Sequence, residues 1–361
     1  MLTFSELLCF FALALTPIDN QQLLDKSGQV DNLFASTIKP DAPGAAVVVI
    51  HDGKILHKKG YGLANLELEV PVTPKTKFRL CSLSKQFTAM AIMQLHDKGL
   101  LNIDDPVIKY LPDYTKWEKV TIRHLLNHTS GITSFPKPKS WQEPYTFEKM
   151  IETFKDEPLE FNPGDRFSYS NNGYDIMGYL IEKVTGKTYE AYMRENIFQP
   201  LGMMDSGCDY CTPIIKNRAS GYAFKDDKPE NPYFYDASLL IASGGLYSTV
   251  EDMYLWDQAL YTEKLVKAST LEQAFMPGKL NDGSLTNYGF GWMLHDYCGL
   301  RELDHLGGQP GFSTYIGRYI DQRFSVIILS NDPRLDRVDI AHQILKIYMP
   351  DKLQKVESEK E

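Results

Sequence analysis

Ser82 and Lys85 stand three residues apart where an extended stretch turns into a helical one, in Phe78-Arg79-Leu80-Cys81-Ser82-Leu83-Ser84-Lys85. On a helix, residues three apart lie one turn above each other, so the hydroxyl and the amine would share a face within hydrogen-bond reach. A serine hydroxyl is a weak nucleophile near neutral pH until a neighbour takes its proton, and a desolvated lysine can be that neighbour. The pair alone is weak evidence, because Ser-x-x-Lys occurs three times in the chain. Ser36–Lys39 runs into Pro40 and Ser134–Lys137 encloses Pro136, so neither can open a long helix. After Ser82, Phe87, Ala91 and Leu95 recur at four-residue spacing with Met90 and Met93 beside them, and Gly99 stops the run. That pattern predicts an amphipathic helix. A structural serine with a solvated lysine one turn on would read the same, so the assignment needs further groups.

Two further stretches supply them. Tyr169-Ser170-Asn171 is the one place, among 21 tyrosines, where asparagine follows two residues after tyrosine. On an extended or tight-loop segment alternate side chains point to one side. A phenol beside a lysine could relay a proton, and an amide could hold a substrate carbonyl; a buried tyrosine ahead of a helix cap is the plainer alternative. In His305-Leu306-Gly307-Gly308 the glycines would let a substrate backbone lie against a strand edge, with N–H groups aimed at a developing oxyanion. His51-Asp52-Gly53 and Lys58-Lys59-Gly60 look similar, but both precede Ser82 and the first reads as a hairpin turn.

The elements that must position these groups follow a strand, helix, strand order. Ala45 onward reads AAVVVIHDGKILHKKGYG, two β-rich runs around Asp52-Gly53, which predicts an opening antiparallel pair. Residues 130–163 are rich in Pro, Lys and aromatics and suggest a surface excursion that could roof a cleft. Tyr174, Met177, Leu180, Ile181 and Val184 mark a helix ended by Gly186, with a second through about Ile197. Ser248, with Glu251 three residues on, reads as a helix N-cap. Tyr288–Leu294, Thr314–Ile320 and Phe324–Ser330 read as strands, and Asp336–Met349 as a terminal helix.

At 361 residues, 43% hydrophobic and 24% charged, the chain is ordinary globular material. A net charge of −9 gives no basic footprint for nucleic acid, so a small-molecule or peptide substrate is the default. The apolar run Leu7–Leu15, too short for a bilayer span, with Ala12-Leu13-Ala14 after its start, resembles a signal-peptide core, although Glu6 and the lack of Lys or Arg before it do not fit. Export is the expectation, with about residues 1–20 as the signal peptide; an amphipathic or membrane-touching N-terminal segment is the alternative. Cys208 and Cys211 read as a surface-loop pair, disulfide-bonded after export; a zinc or thiol enzyme built on them is a rival, but no second Cys-x-x-Cys exists. Cys81 reads as a small buried residue. His124 and His128 could share a helix face, but no carboxylate or third histidine accompanies them in a known metal motif, and a structural role is expected. Asn127-His128-Thr129 is a glycosylation sequon.

Ser-x-x-Lys, then Tyr-x-Asn, then His-x-Gly, in that order over more than 200 residues, resembles the serine β-lactamase and penicillin-binding-protein family, most closely its class C-like branch of D-aminopeptidases, D-Ala-D-Ala carboxypeptidases and carboxylesterases. The phrases TIRHLLNHTSGI, FNPGDRFSYSNNGYDIMGYLIEKVTG and HLGGQPGF fit as well. The resemblance implies an α+β fold: a central antiparallel sheet flanked by helices, with a helical domain inserted in the middle of the chain. It implies a hydrolase domain over about 24–350, its α/β part at 24–110 and 240–350 and its helical part at 111–239, followed by a solvated tail at 351–361. It further implies catalytic Ser82, Lys85 and Tyr169, substrate contacts from Asn171, His305, Gly307 and Gly308, and no metal or organic cofactor. A noncatalytic binding or scaffolding protein on the same fold is the alternative. Histidine at 305, where the β-lactamase branch has lysine, suggests an esterase or peptidase rather than an efficient β-lactamase, with carboxylate affinity falling as His305 deprotonates near pH 6 to 7.

Overall fold

The computed structural model describes residues 20–351. Apart from their innermost residues, the expected export segment and the polar tail lie outside that range. Both ends of the described chain build one six-stranded sheet: β1 (Ala45–His51), β2 (Lys54–Tyr61), β3 (Met293–Tyr297), β4 (Leu300–Gln309), β5 (Phe312–Tyr319) and β6 (Phe324–Ser330). The spatial order is β3-β4-β5-β6-β1-β2, and every neighbouring pair is antiparallel. The β1–β2 turn places Asp52 at φ 48° and Gly53 at φ 74°, the left-handed pair that a two-residue hairpin requires.

Ala45 to Ile50 are all buried because both faces of the sheet are covered. On one face Val47, Val49, Val326 and Ile328 pack under two helices, α1 (Asn20–Thr37) and the terminal helix Arg337–Tyr348. On the other, Val48, Ile316, Ile327 and Leu329 join the core formed with α2 (Ser84–Asp97), α3 (Asn171–Thr185) and α4 (Val250–Ala259). The fold is thus α+β, with the helical part entering between the opening and closing strands. Among the described residues no helix is long and apolar enough to cross a membrane.

Four local expectations are corrected. α2 is not amphipathic: every residue from Ser84 to Leu95 is buried, since the helix runs through the core, and its polar side chains find internal partners. Gln86 accepts from Trp256 at 3.0 Å and Thr88 donates to the Ala242 carbonyl at 2.6 Å. α1 precedes the opening hairpin; Gly28 and the six polar or charged residues from Asp25 to Asn32 blur its apolar stripe of Val30, Leu33 and Phe34. The first closing strand begins at Met293 rather than Tyr288, and β4 escapes recognition because Glu302 and Asp304 face inward. Their carboxylates are satisfied internally, Glu302 by Tyr315 and Tyr319 and Asp304 by His295. Finally, Thr249 caps α4 by accepting from the Asp252 N–H at 3.1 Å, while Ser248 ends a strand.

Candidate active site

A short helical turn, Cys81–Leu83, leads directly into α2 and presents Ser82 half-exposed while its neighbours Cys81 and Leu83 are buried. Cys81 adopts φ +52°, a left-handed backbone that a residue with a Cβ resists, so the turn is sharp. Gly307 on β4 permits its close seating: a Cβ there would lie 2.6 Å from the Leu80 carbonyl oxygen and 2.0 Å from Thr314 Oγ1. Thr314 in turn donates to that Leu80 carbonyl at 2.7 Å. β3 pairs with β4 only as far as Asp304, whereas β5 pairs on to Gln309, so the last five residues of β4 keep one edge free of β3 beside the Ser82 turn.

Lys85, in the first turn of α2, is fully buried. Its Nζ lies 3.4 Å from Ser82 Oγ, 2.7 Å from Asn171 Oδ1 and 2.8 Å from the Ser243 carbonyl. Burial lowers its pKa to about 7, against the opposing pull of Asp175. Asn171 opens α3, whose N-cap is Ser170, accepting from Gly173 N–H at 3.1 Å. Tyr169, two residues earlier, sets its ring 4.7 Å from Lys85 Nζ. Burial raises the phenol pKa, partly offset by Ser82, so Tyr169 is protonated at neutral pH. The segment between α3's cap and the core is fixed from behind: His128 Nδ1 accepts from the Ser170 N–H at 3.0 Å.

A cavity of about 540 Å³ opens above Ser82, with Asn171, Ser243 and Gly308 on its wall and the aromatic rings of Phe135 and Trp141 from the 130–163 excursion across from them. Five of the residues singled out in the sequence therefore converge: Ser82, Lys85 and Tyr169 with Asn171 and Gly308. Of these Ser82, Asn171 and Gly308 line the cavity, with Lys85 and Tyr169 directly behind them; the other two predicted residues stand apart. Gly307 packs against Leu80 and Cys81, as above. His305 is buried behind the site, donating from Nδ1 to the Leu306 carbonyl at 2.7 Å and accepting at Nε2 from Tyr288 at 2.9 Å. Burial and the nearby Lys85 push its pKa down to about 3, so the expected titration near pH 6 to 7 does not occur.

The family model described as Beta-lactamase matches residues 30–348. The chain belongs to the beta-lactamase family. Penicillin-binding protein 4* of Bacillus subtilis (strain 168) is 32% identical over 330 residues, covering 85% of this chain and 72% of the relative. The octameric penicillin-binding protein homologue from Pyrococcus abyssi superposes at a TM-score of 0.79 with 29% identity, over 90% of this chain and 77% of that one. D-amino acid amidase from Ochrobactrum anthropi SV3 shares the fold at a TM-score of 0.75 and 23% identity, over 94% of this chain and 100% of that one.

Within this beta-lactamase-family site several groups had no signal in the sequence. His128, read only as structural, sets its ring tilted against Tyr169 and Tyr288, with centres 4.2 Å and 4.6 Å away, and burial drives its pKa well below the usual range. Asp175 accepts from the Ala242 and Ser243 N–H groups at 3.0 Å each and from Ser243 Oγ at 2.7 Å. It thereby fixes the turn whose Ser243 carbonyl holds Lys85. For Asp175 the one hint was a carboxylate at the start of the otherwise apolar run Tyr174–Ile181. Other readings are corrected. Cys208 and Cys211 are unbonded; Cys208 lies buried at the end of a two-residue strand, paired with Leu246, while Cys211 sits partly exposed in the bend beyond it. Asn127 of the sequon is buried, and His124 serves in the capping box of a short helix with Thr121.

Proposed function

We propose that the chain hydrolyses an ester, amide or peptide through an acyl-enzyme on Ser82. The observation that carries this reading is Lys85: fully buried, brought to a pKa of about 7, and 3.4 Å from Ser82 Oγ. As Ser82 Oγ bonds to the acyl carbon, its proton passes to neutral Lys85. The Lys85–Tyr169 pair returns that proton to the leaving oxygen or nitrogen as its bond to the acyl carbon breaks. Water then attacks the acyl carbon, losing its proton to the same pair, which passes it to Ser82 Oγ as the bond between Oγ and the acyl carbon breaks. Backbone N–H groups of Ser82 and Gly308 stabilise the oxyanion. Asn171 gives its Oδ1 to Lys85, which leaves Nδ2 to hold a substrate carbonyl.

His305 is neutral and removed from the cavity, so it supplies no cation for a β-lactam carboxylate at that place. Slow cephalosporin turnover beside faster turnover of short-chain esters is the expectation. The test is labelling with a fluorophosphonate followed by peptide mass spectrometry: the adduct should fall on Ser82 and vanish in Ser82→Ala. An adduct on Cys81 or Ser134, or undiminished ester hydrolysis by Ser82→Ala, would overturn the assignment.

A further inference from the structure

A second cavity, of about 420 Å³, adjoins the one above Ser82, and Tyr233, Tyr235 and Pro310 line both. Its far wall holds two guanidinium groups that share one carboxylate. Arg79 Nε donates to Asp209 Oδ2 at 2.5 Å and Arg218 Nη1 donates to Asp209 Oδ1 at 2.7 Å. All three side chains line the cavity, but Asp209 is 0% exposed against 14% for Arg79 and 35% for Arg218, so the accessible charged surface is that of the cations. Two guanidiniums against one carboxylate leave this wall net positive in a chain whose formal charge is −9. Arg79 is also held in place, its guanidinium 5.3 Å from the Tyr235 ring centre and 5.9 Å from that of Phe312. Its hydrogen bond uses Nε, and both Nη groups remain to donate.

Fixed, paired guanidinium donors at the end of an aromatic-walled cleft suit a planar anion, because the Arg fork matches the two oxygens of a carboxylate. We propose that this cavity is a carboxylate-binding subsite and that the preferred acyl donor carries an anionic group at the far end of its acyl portion. The proposal rests on the acyl-transfer reading of Ser82 and adds to it the class of substrate. It also moves anion recognition from His305, which is buried and off the cleft, to arginines that stay charged at every working pH.

The experiment compares 4-methylumbelliferyl monoesters of adipic and suberic acid with the uncharged hexanoate and octanoate esters. In the wild type the carboxylated esters should have the higher kcat/KM, through a lower KM, and the preference should shrink as salt is added. Arg218→Ala should reduce the ratio of carboxylated to uncharged kcat/KM roughly tenfold, the scale of one charge-assisted hydrogen bond, and Arg218→Lys should restore part of it. Thermal melting separates this from loss of fold, since Arg79 still pairs with Asp209 in the variant. A wild-type ratio at or below one, or a ratio unmoved by Arg218→Ala, overturns the subsite while leaving the serine-hydrolase reading intact. If no ester is hydrolysed and no fluorophosphonate adduct forms on Ser82, the catalytic reading falls instead. Calorimetric titration of Ser82→Ala and Ser82→Ala/Arg218→Ala with monomethyl adipate then still decides the subsite, which requires binding by the first and weaker binding by the second.

Discussion

At the scale of the residue, Lys85 is the group on which the chemistry turns. An ammonium has no lone pair to accept the Ser82 proton, so activity belongs to the neutral form. Burial depresses the Lys85 pKa from its ordinary value to about 7, which sets the direction: kcat/KM should rise with pH through about 7 rather than through the usual lysine range. Stopped assays on an uncharged ester from pH 5 to 9 check this, and a profile with no rising limb in that range would contradict it. Lys85→Ala should lower kcat by roughly two to four orders of magnitude, the usual scale for a proton-transfer group. Asp175 tunes the same residue without touching the cleft. Its charge favours the ammonium, so Asp175→Asn should shift the rising limb to lower pH while the amide oxygen keeps the two backbone hydrogen bonds to residues 242 and 243. A limb that stays in place would show that Asp175 is structural only.

At the scale of the element, the decisive contact is that between β4 and the turn carrying Ser82. Gly307 has no room for a methyl group, since the nearest atom that cannot rotate away, the Leu80 carbonyl oxygen, would sit 2.6 Å from it. Gly307→Ala should therefore cost about 1–3 kcal/mol as an overpacked site and reduce turnover by lifting the Ser82 turn off the strand. Gly308 is the internal control, with nothing within 4 Å of an added Cβ. Gly308→Ala should keep the denaturation midpoint of the wild type in urea, while Gly307→Ala lowers it; equal midpoints would remove the argument for close approach.

At the scale of the whole molecule, the sheet and the helices of the active-site face are joined by a buried ion pair. Arg318 of β5 donates through Nε to Asp257 of α4 at 2.7 Å, both side chains 0% exposed, and Ser325 of β6 donates to the same oxygen at 2.8 Å. The Arg318 guanidinium also stacks 4.6 Å from the Tyr261 ring centre. Arg318→Ala leaves a buried carboxylate without its cation, and the fold should lose about 3–5 kcal/mol, read from equilibrium urea unfolding. Arg318→Ala/Asp257→Ala should recover part of that loss. A single variant as stable as the wild type would mean that the pair contributes nothing net.

Local chemistry was legible in the sequence where one short stretch contains the whole cause. Asp52-Gly53 specifies its hairpin turn because the two residues themselves tolerate left-handed backbone, and Gly186 ends α3 for the same reason at φ 68°. Ser82, Lys85, Tyr169 and Asn171 were visible because a proton-transfer pair and its helpers need those residue types at fixed short spacings. What the sequence could not decide was which side of an element faces what. β4 was missed and His305 was expected in the cleft because the burial of Glu302, Asp304 and His305 depends on partners brought from β3, β5 and the Tyr288 region by pairing over the sheet. α2 was expected to show a wet face, yet α3 and the Ile241–Gly244 turn pack against it, as do the short helices Tyr189–Met193 and Ala268–Ala274. The Lys85 environment was likewise assembled from residues 86 and 158 positions away, Asn171 and Ser243. A pKa depends on the dielectric and charges around a group, which only the packed chain defines.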